Sequence, residues 1–254
     1  MFEDFLAVLL PSSDPERLGQ FYQSVLGLSP AAGGNGHIFA AGRCGQIRVE
    51  PAGPGLPQGP TALWVEAEEV GRTYRAVQDR GGAPLLVDLT DTYYGTREFQ
   101  VLDPEGNITC IINYAADLPE RRVQQRSALY SSEFRSVLYV KNLSACYRFY
   151  TETLGLPSVY QWEKDRGDRG FKYAVSSSGS AYVETLFREP LAPQRQGALA
   201  LRAKDLTGCF RTVRERCPES VEIPLCGDVM GCPGFALSDP DGNRVLIWGG
   251  HEKR

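Results

Sequence analysis

The sequence predicts an α+β fold of four strand–helix–strands units arranged as two related halves. The first sign is internal repetition. Phe21-Tyr22-Gln23-Ser24-Val25-Leu26-Gly27-Leu28 recurs as Phe149-Tyr150-Thr151-Glu152-Thr153-Leu154-Gly155-Leu156, an offset of 128, and Asp103-Pro104-Glu105-Gly106-Asn107 recurs as Asp239-Pro240-Asp241-Gly242-Asn243, an offset of 136. Two motifs in the same order at nearly equal offsets describe a duplicated unit with a short insertion in the second copy. The second sign is four windows of helical apolar spacing, and the third is a short β-prone run before and after each of them.

In chain order, the run Phe5 to Leu10 leads to Leu18, Phe21, Tyr22 and Val25 at i, i+3, i+4 and i+7, with Asp14 as N-cap and Pro15 at the first helical position. Ala62 to Glu66 precedes Val70, Tyr74 and Val77, a helix that Gly81-Gly82 stops. Val137 to Val140 precedes Leu143, Cys146 and Tyr150 behind the N-cap Asn142, and Ala198 to Arg202 precedes Leu206, Phe210 and Val213 behind Asp205. Runs at Ile47 to Glu50, Phe99 to Leu102, Tyr182 to Leu186 and Val245 to Trp248 follow the helices. Each Asp-Pro-x-Gly-Asn segment lies between two such runs, where Pro presets φ and Gly-Asn accepts positive φ, as a tight hairpin requires.

Composition narrows the function classes. The chain has 254 residues, 42% apolar and 23% charged, and a formal net charge of −4. That is a folded globular balance with no basic excess for nucleic acid or anionic lipid. No apolar stretch reaches a membrane span and the N-terminus lacks the basic start of a secretory signal, so a cytoplasmic protein is expected, as monomer or homodimer. Seven scattered cysteines without a C-x-x-C pair argue against a disulfide scaffold or a structural zinc site. With only His37 and His251, sites that need two or more imidazoles lack ligands.

The order of a first strand, an Asx-capped helix with Phe-Tyr and Leu-Gly-Leu, then Asp-Pro-Glu/Asp-Gly-Asn before a final strand resembles the vicinal oxygen chelate superfamily. That superfamily includes glyoxalase I, bleomycin-resistance proteins and extradiol dioxygenases. The resemblance implies tandem glyoxalase-like domains at residues 1–116 and 133–254 joined by a linker at 117–132. Each would contain paired βαβββ units forming a cupped sheet. In metal-using relatives each cup takes ligands, usually His, Glu or Gln, from the first and last strands of its units. Carried over from the shared motifs, those positions are Ala7, Glu50, Thr61 and Cys110 in the first half and Arg135, Glu184, Ala198 and Leu246 in the second. One carboxylate remains per half and an Arg stands in the ring, whereas a divalent cation wants three or more O, N or S ligands. Loss of the family's metal is therefore expected in both halves, and no cofactor is expected.

Residues two apart on a strand share a face. With the carried-over positions facing the cup, the second half turns Glu133, Tyr139, Tyr182, Arg202 and Trp248 inward beside Arg135 and Glu184. The first half turns Leu9, Arg48, Leu63 and Ile112 inward beside Glu50. The second cup is thus expected to be polar and aromatic. Buried charges are costly unless paired or met by a ligand, so this cluster implies mutual pairing, a bound anion or both. Arg135 and Glu184 are the candidate catalytic residues, as anion-binding or electrophilic group and as base or orienting acceptor. Arg202, Tyr139, Tyr182, Trp248 and Glu50 are candidate ligand contacts. The loop that covers the pocket mouth in this superfamily adds Tyr93, Tyr94 and Arg97. Cys110 reads as a packed thiol, with a nucleophile or zinc ligand as the sharper alternative; Gly33 to Gly36 reads as a turn, and His37 and His251 as surface residues. The expected function is binding of a small organic molecule, carbonyl-bearing or anionic, for sequestration or metal-independent conversion. A metal-dependent lyase, isomerase or dioxygenase with its ligands in another register remains open, as does a scaffold without a ligand.

Overall fold

The computed structural model describes residues 1–31, 37–53, 56, 61–81, 83–92, 96–114, 130–163, 167–176, 181–187, 197–229 and 232–249. The turn at Gly33 to Gly36, Tyr93, Tyr94, His251, residues 117–129 of the expected linker and the side chain of Glu133 lie outside them.

The first unit contains β1 (Phe2–Ser12), α1 (Pro15–Gln20), β2 (Ile38–Ala41) and β3 (Gly45–Pro51). The second contains β4 (Ala62–Ala67), α2 (Val70–Arg80), β5 (Leu85–Asp91), β6 (Thr96–Leu102) and β7 (Ile108–Tyr114). The third runs through β8 (Tyr130–Tyr139), α3 (Leu143–Arg148), β9 (Ser158–Glu163), β10 (Arg169–Ala174) and β11 (Ala181–Phe187). The fourth runs through β12 (Ala198–Ala203), α4 (Leu206–Arg216), β13 (Val221–Val229), β14 (Cys232–Ser238) and β15 (Arg244–Trp248).

Local chemistry sets the helix starts. The carboxylate of Asp14 accepts from the amide of Arg17 at 3.1 Å, Asn142 from Ala145 at 3.1 Å, and Asp205 from Gly208 at 3.0 Å. Each satisfies an amide that the first helical turn would otherwise leave orphaned. At both Phe-Tyr motifs the helix widens into a π turn, Phe21–Val25 and Phe149–Thr153, so the repeat is reproduced down to its hydrogen-bond pattern.

The two repeated motifs touch each other, which explains why they travel together. The Tyr22 hydroxyl donates to Asp103 at 3.0 Å and that of Tyr150 to Asp239 at 3.1 Å, all buried. Asp103 also accepts from the amides of Asn107 and Glu105 at 2.8 and 3.0 Å, and Asp239 from those of Asn243 and Asp241 at the same distances. Gly106 and Gly242 close these hairpins at φ 80° and 84°, backbone conformations that a Cβ opposes. The side chain between them reaches back to the helix start of the preceding unit. Glu105 accepts from Ser12 Oγ at 2.7 Å and the Ser13 amide at 3.0 Å, and Asp241 from the amides of Lys141 and Asn142 at 2.8 and 3.0 Å. These contacts join the two units within each half.

The sheets join units across the halves. One sheet has seven strands in the order β13-β14-β15-β12-β1-β3-β2, and the other has eight in the order β5-β6-β7-β4-β8-β11-β10-β9. The seams are antiparallel, β1 against β12 and β4 against β8. The α+β class and the four units are as the sequence predicts. The pairing of units is not: each sheet combines one unit from either half, the first with the fourth and the second with the third, rather than the two units of one half. The physical reason is that the first strand of every unit offers an edge, and the sequence does not label which edge it meets.

One continuous core lies between the sheets and the helices. It takes Leu6, Val8 and Leu10 from β1, Leu63 and Val65 from β4, Phe134 and Leu138 from β8, and Leu199 and Leu201 from β12, with Leu18, Val77, Cys146 and Val213 from the helices. The sheets approach closely enough that a Cβ on Gly45 would run into the Phe134 ring. The opposite, helix-free face of each sheet carries its own smaller cluster, and, Arg97 apart, these two faces hold the expected site residues that are described.

Candidate functional site

Alternation along the strands decides which face each residue takes. On the eight-stranded sheet, β8 presents Arg135, Val137 and Tyr139 to the helix-free face and β11 presents Tyr182, Glu184 and Leu186. In register beside them stand Trp64 of β4, paired with both Arg135 and Cys110, and Cys110 and Ile112 of β7. Trp64, Cys110, Ile112, Val137 and Leu186 form an apolar floor against which Tyr139 and Trp162 pack.

Into this floor is set a buried ion pair. Arg135 Nη1 lies 3.3 Å from Glu184 Oε2, with the side chains 8% and 5% exposed. The other carboxylate oxygen of Glu184 accepts from Trp162 Nε1 at 2.9 Å. A buried carboxylate so held is kept as an acceptor in one orientation, and the guanidinium beside it offsets its charge. Lys172, opposite Glu184 on β10, places its ammonium 3.6 Å from the centroid of the Tyr182 ring. A second buried carboxylate, Glu98 of β6, stands across from Ile112 on the same face and accepts from Gln100 Nε2 at 3.1 Å.

The seven-stranded sheet carries a different surface. Ala7, Leu9, Ala198, Ala200, Ala236 and Leu246 make its floor, with Phe5, Leu56 and Trp248 packed on it. Arg202 and Glu3 pair at 3.2 Å, both about two-fifths exposed, with the guanidinium 5.1 Å from the Trp248 ring. Arg48 and Glu50 pair at 3.1 Å.

The expected second-half cluster is therefore divided. Arg135, Glu184, Tyr139 and Tyr182 do meet on one face, but Arg202 and Trp248 belong to the other sheet, because the fourth unit pairs with the first. There they share a face with Glu50, which the sequence assigned to the opposite cup. Arg97 is also misplaced: it alternates with Glu98, so it leaves on the helix side of β6, where it lies 3.5 Å from Asp91 in a pair that is half or more exposed. On β4 the register moves by one, since Leu63 faces the core and Trp64 takes the position facing Arg135. Cys110 is fully buried beside Trp64. His37 is half-buried, with Nε2 3.6 Å from Glu16.

Residues 5–111 and 134–247 match the Glyoxalase/Bleomycin resistance protein/Dioxygenase superfamily. The chain belongs to that superfamily. Glyoxalase I from Zea mays has the same fold over 97% of this chain and 91% of its own, at 13% identity and a TM-score of 0.68. A putative dioxygenase from Bacillus subtilis subsp. subtilis str. 168 matches over 98% and 85%, at 14% identity and a TM-score of 0.61. No curated protein matches the sequence. No helix among the described residues is long and apolar enough to cross a membrane.

The metal used by many superfamily members can be tested against the donors present. On the seven-stranded sheet the central positions are Ala7, Ala200 and Leu246; on the eight-stranded sheet they are Trp64, Cys110, Arg135 and Glu184. The first set has no donor atom, and Glu50, the carried-over position on the same face, is paired with Arg48 at 3.1 Å. The second has the buried Cys110 thiol and one carboxylate, already committed to a guanidinium and an indole, and a cation beside the place where another cation would sit, while Glu98 on the same face accepts from Gln100. Among the described residues no group of three His, Cys, Asp or Glu comes together. This donor set does not fit a divalent ion.

Proposed function

We propose that the protein binds a small organic molecule, anionic or carbonyl-bearing, on the helix-free face of the eight-stranded sheet, without a metal, to sequester or convert it. The observation that carries this reading is the Arg135–Glu184 pair, set among Trp64, Tyr139, Tyr182 and Trp162 on the surface where superfamily relatives carry their metal ligands. A guanidinium there can hold a carboxylate or polarise a carbonyl, the role a cation plays in metal-using members. The fixed carboxylate of Glu184 can accept a proton or orient a hydroxyl beside it. Aromatic walls with a few polar groups are the usual make-up of a small-molecule site. In this reading Arg135 and Glu184 act on the ligand, Tyr139 and Tyr182 are walls, and Trp162 positions Glu184.

The test is a thermal-shift panel of carboxylates, carbonyl metabolites and antibiotics on the wild type and on Arg135→Met. Ligand at about 100 times its Kd stabilises the native state by about 2.7 kcal/mol. A hit whose stabilisation vanishes in the folded variant supports the proposal, whereas a hit that survives the substitution, or a panel without hits, opposes it.

A further inference from the structure

The four edges of the two sheets are not alike. β2 has four residues, β5 carries Asp88 and Asp91 and loses register twice against β6, and β13 contains Pro224 and loses register twice against β14. Short length, charge, proline and bulges are the usual protections of an open edge. β9 has one register shift, near its start, and then runs through Tyr160, Gln161 and Trp162 without a charge until Glu163 ends it. Among the described residues its Val159 and Tyr160 are the most exposed large apolar side chains, at 51% and 61%. Hydrogen-bond phase shows what this edge presents. The amide of Val175 donates to the Ala181 carbonyl at 3.1 Å and that of Ala174 to the Pro157 carbonyl at 3.0 Å. Antiparallel bonds alternate along a strand, so Gly170 and Lys172 direct their backbone groups to Trp162 and Tyr160 of β9. The N–H and C=O of Gln161 and Glu163 therefore point off the sheet, and among the described residues nothing pairs with them.

We propose that β9 is an edge for a second copy of this chain: two β9 strands pair antiparallel about a two-fold axis and continue the eight-stranded sheet across a dimer. Identical strands related by such an axis are self-complementary, and the outward backbone groups ask for a strand as their partner. Gln161 lies on the axis and exchanges both backbone hydrogen bonds with Gln161 of the other copy. That register sets Glu163 of each copy opposite Val159 of the other, which keeps the two carboxylates apart. It also sets Tyr160 opposite Trp162, an aromatic cross-strand pair. Both rings lie on the helix-free side, so Tyr160 of one copy reaches the indole that holds Glu184 in the other. One strand from each copy is far less than the roughly 20 to 30 residues a side of a standard interface, so the dimer is weak and reversible. The pairing stands on the edge alone and does not depend on what the Arg135–Glu184 site binds.

The test is analytical ultracentrifugation of the full chain from about 10 μM to about 1 mM, the range in which a small interface titrates, with circular dichroism confirming that every variant is folded. The expected result is a monomer–dimer equilibrium that Gln161→Pro and Tyr160→Lys each weaken at least roughly tenfold. The proline removes an N–H that bonds nothing within the monomer, so the fold tolerates it. Leu86→Lys, on the opposite edge strand β5, should leave the equilibrium unchanged. Gln161→Cys should form a disulfide-linked dimer on mild oxidation, with mass spectrometry of the peptides locating the bond between the two copies of position 161. Residues that exchange both hydrogen bonds across an antiparallel pair have Cα atoms about 5.5 Å apart, within disulfide reach. A chain that stays monomeric over the whole range overturns the proposal, as does a dimer that survives both Gln161→Pro and Tyr160→Lys or is lost in Leu86→Lys. Failure of Gln161→Cys to link through position 161 overturns it as well. None of these measurements involves a ligand, so their outcome leaves the Arg135–Glu184 reading to its own test.

Discussion

Replacing Arg135 by Met removes one partner of a buried pair while keeping most of the stem's apolar contact. Arg135 and Glu184 are separated by 3.3 Å and are 8% and 5% exposed, so the loss leaves a carboxylate out of water with, among the described residues, the Trp162 indole as its remaining donor. Removing one member of such a pair costs about 3 to 5 kcal/mol. At about 2 to 4 °C per kcal/mol for a chain of this size, the melting temperature should fall by roughly 6 to 20 °C. Glu184→Gln keeps an acceptor for Trp162 but removes the carboxylate that the guanidinium faces at 3.3 Å, and should also destabilise the fold. Both variants break the same contact, so the double variant should lose less than their sum, with a coupling energy of about 1 to 3 kcal/mol. Urea denaturation of the four proteins measures all three quantities. A single-variant cost below about 1 kcal/mol, or strictly additive costs, would refute the view that the pair is buried and mutually dependent.

The contact between the repeated motifs makes a second prediction: Tyr22→Phe and Tyr150→Phe should each cost about 1 to 3 kcal/mol, measured by urea denaturation, because each leaves a buried Asp with one donor fewer. Costs near zero would contradict the assignment. A third concerns pH. Hydrogen bonds from Ser12 and then Ser13 hold the Glu105 carboxyl below its ordinary range, so its contribution is complete above the unfolded-state pKa and is lost as pH falls through the lowered folded-state value. The stability advantage of wild type over Glu105→Gln should therefore shrink on acidification below about pH 4, and a constant difference would contradict it. Burial pushes the Cys146 thiol up and that of Cys209 up to about 12. Iodoacetamide at neutral pH, read by peptide mass spectrometry, should therefore spare Cys146, Cys209 and buried Cys110 while labelling half-buried Cys44 and Cys232 first.

Much of the fold was legible because its signals are local. Caps at Asp14, Asn142 and Asp205 and the Gly of each Asp-Pro-x-Gly-Asn hairpin act within a few residues, and the structure uses them as written. Alternation within β8 and β11 likewise placed Arg135, Tyr139, Tyr182 and Glu184 on one face. What escaped depends on long-range pairing. Nothing in β1 or β4 names its partner across the seam, so Arg202 and Trp248 were grouped with Arg135 although they sit on the other sheet. The run Ala62-Leu63-Trp64-Val65 is apolar on both faces, so its parity carried no signal and Trp64 was missed. Glu98-Phe99-Gln100-Val101 does alternate, and a strand template extended by one residue would have found buried Glu98. Trp162 lies on an exposed strand whose pattern is not that of a half-buried one, and its bond to Glu184 exists only in three dimensions.

The most direct test of metal-independent recognition at Arg135 and Glu184 is the affinity of the best panel ligand before and after chelation, measured by calorimetry alongside the metal content of the mildly purified protein. Well under one equivalent of Zn, Fe, Mn or Ni per chain is expected, with a Kd that chelation leaves unchanged. About one equivalent, removed together with binding and restored by returning the ion, would contradict it.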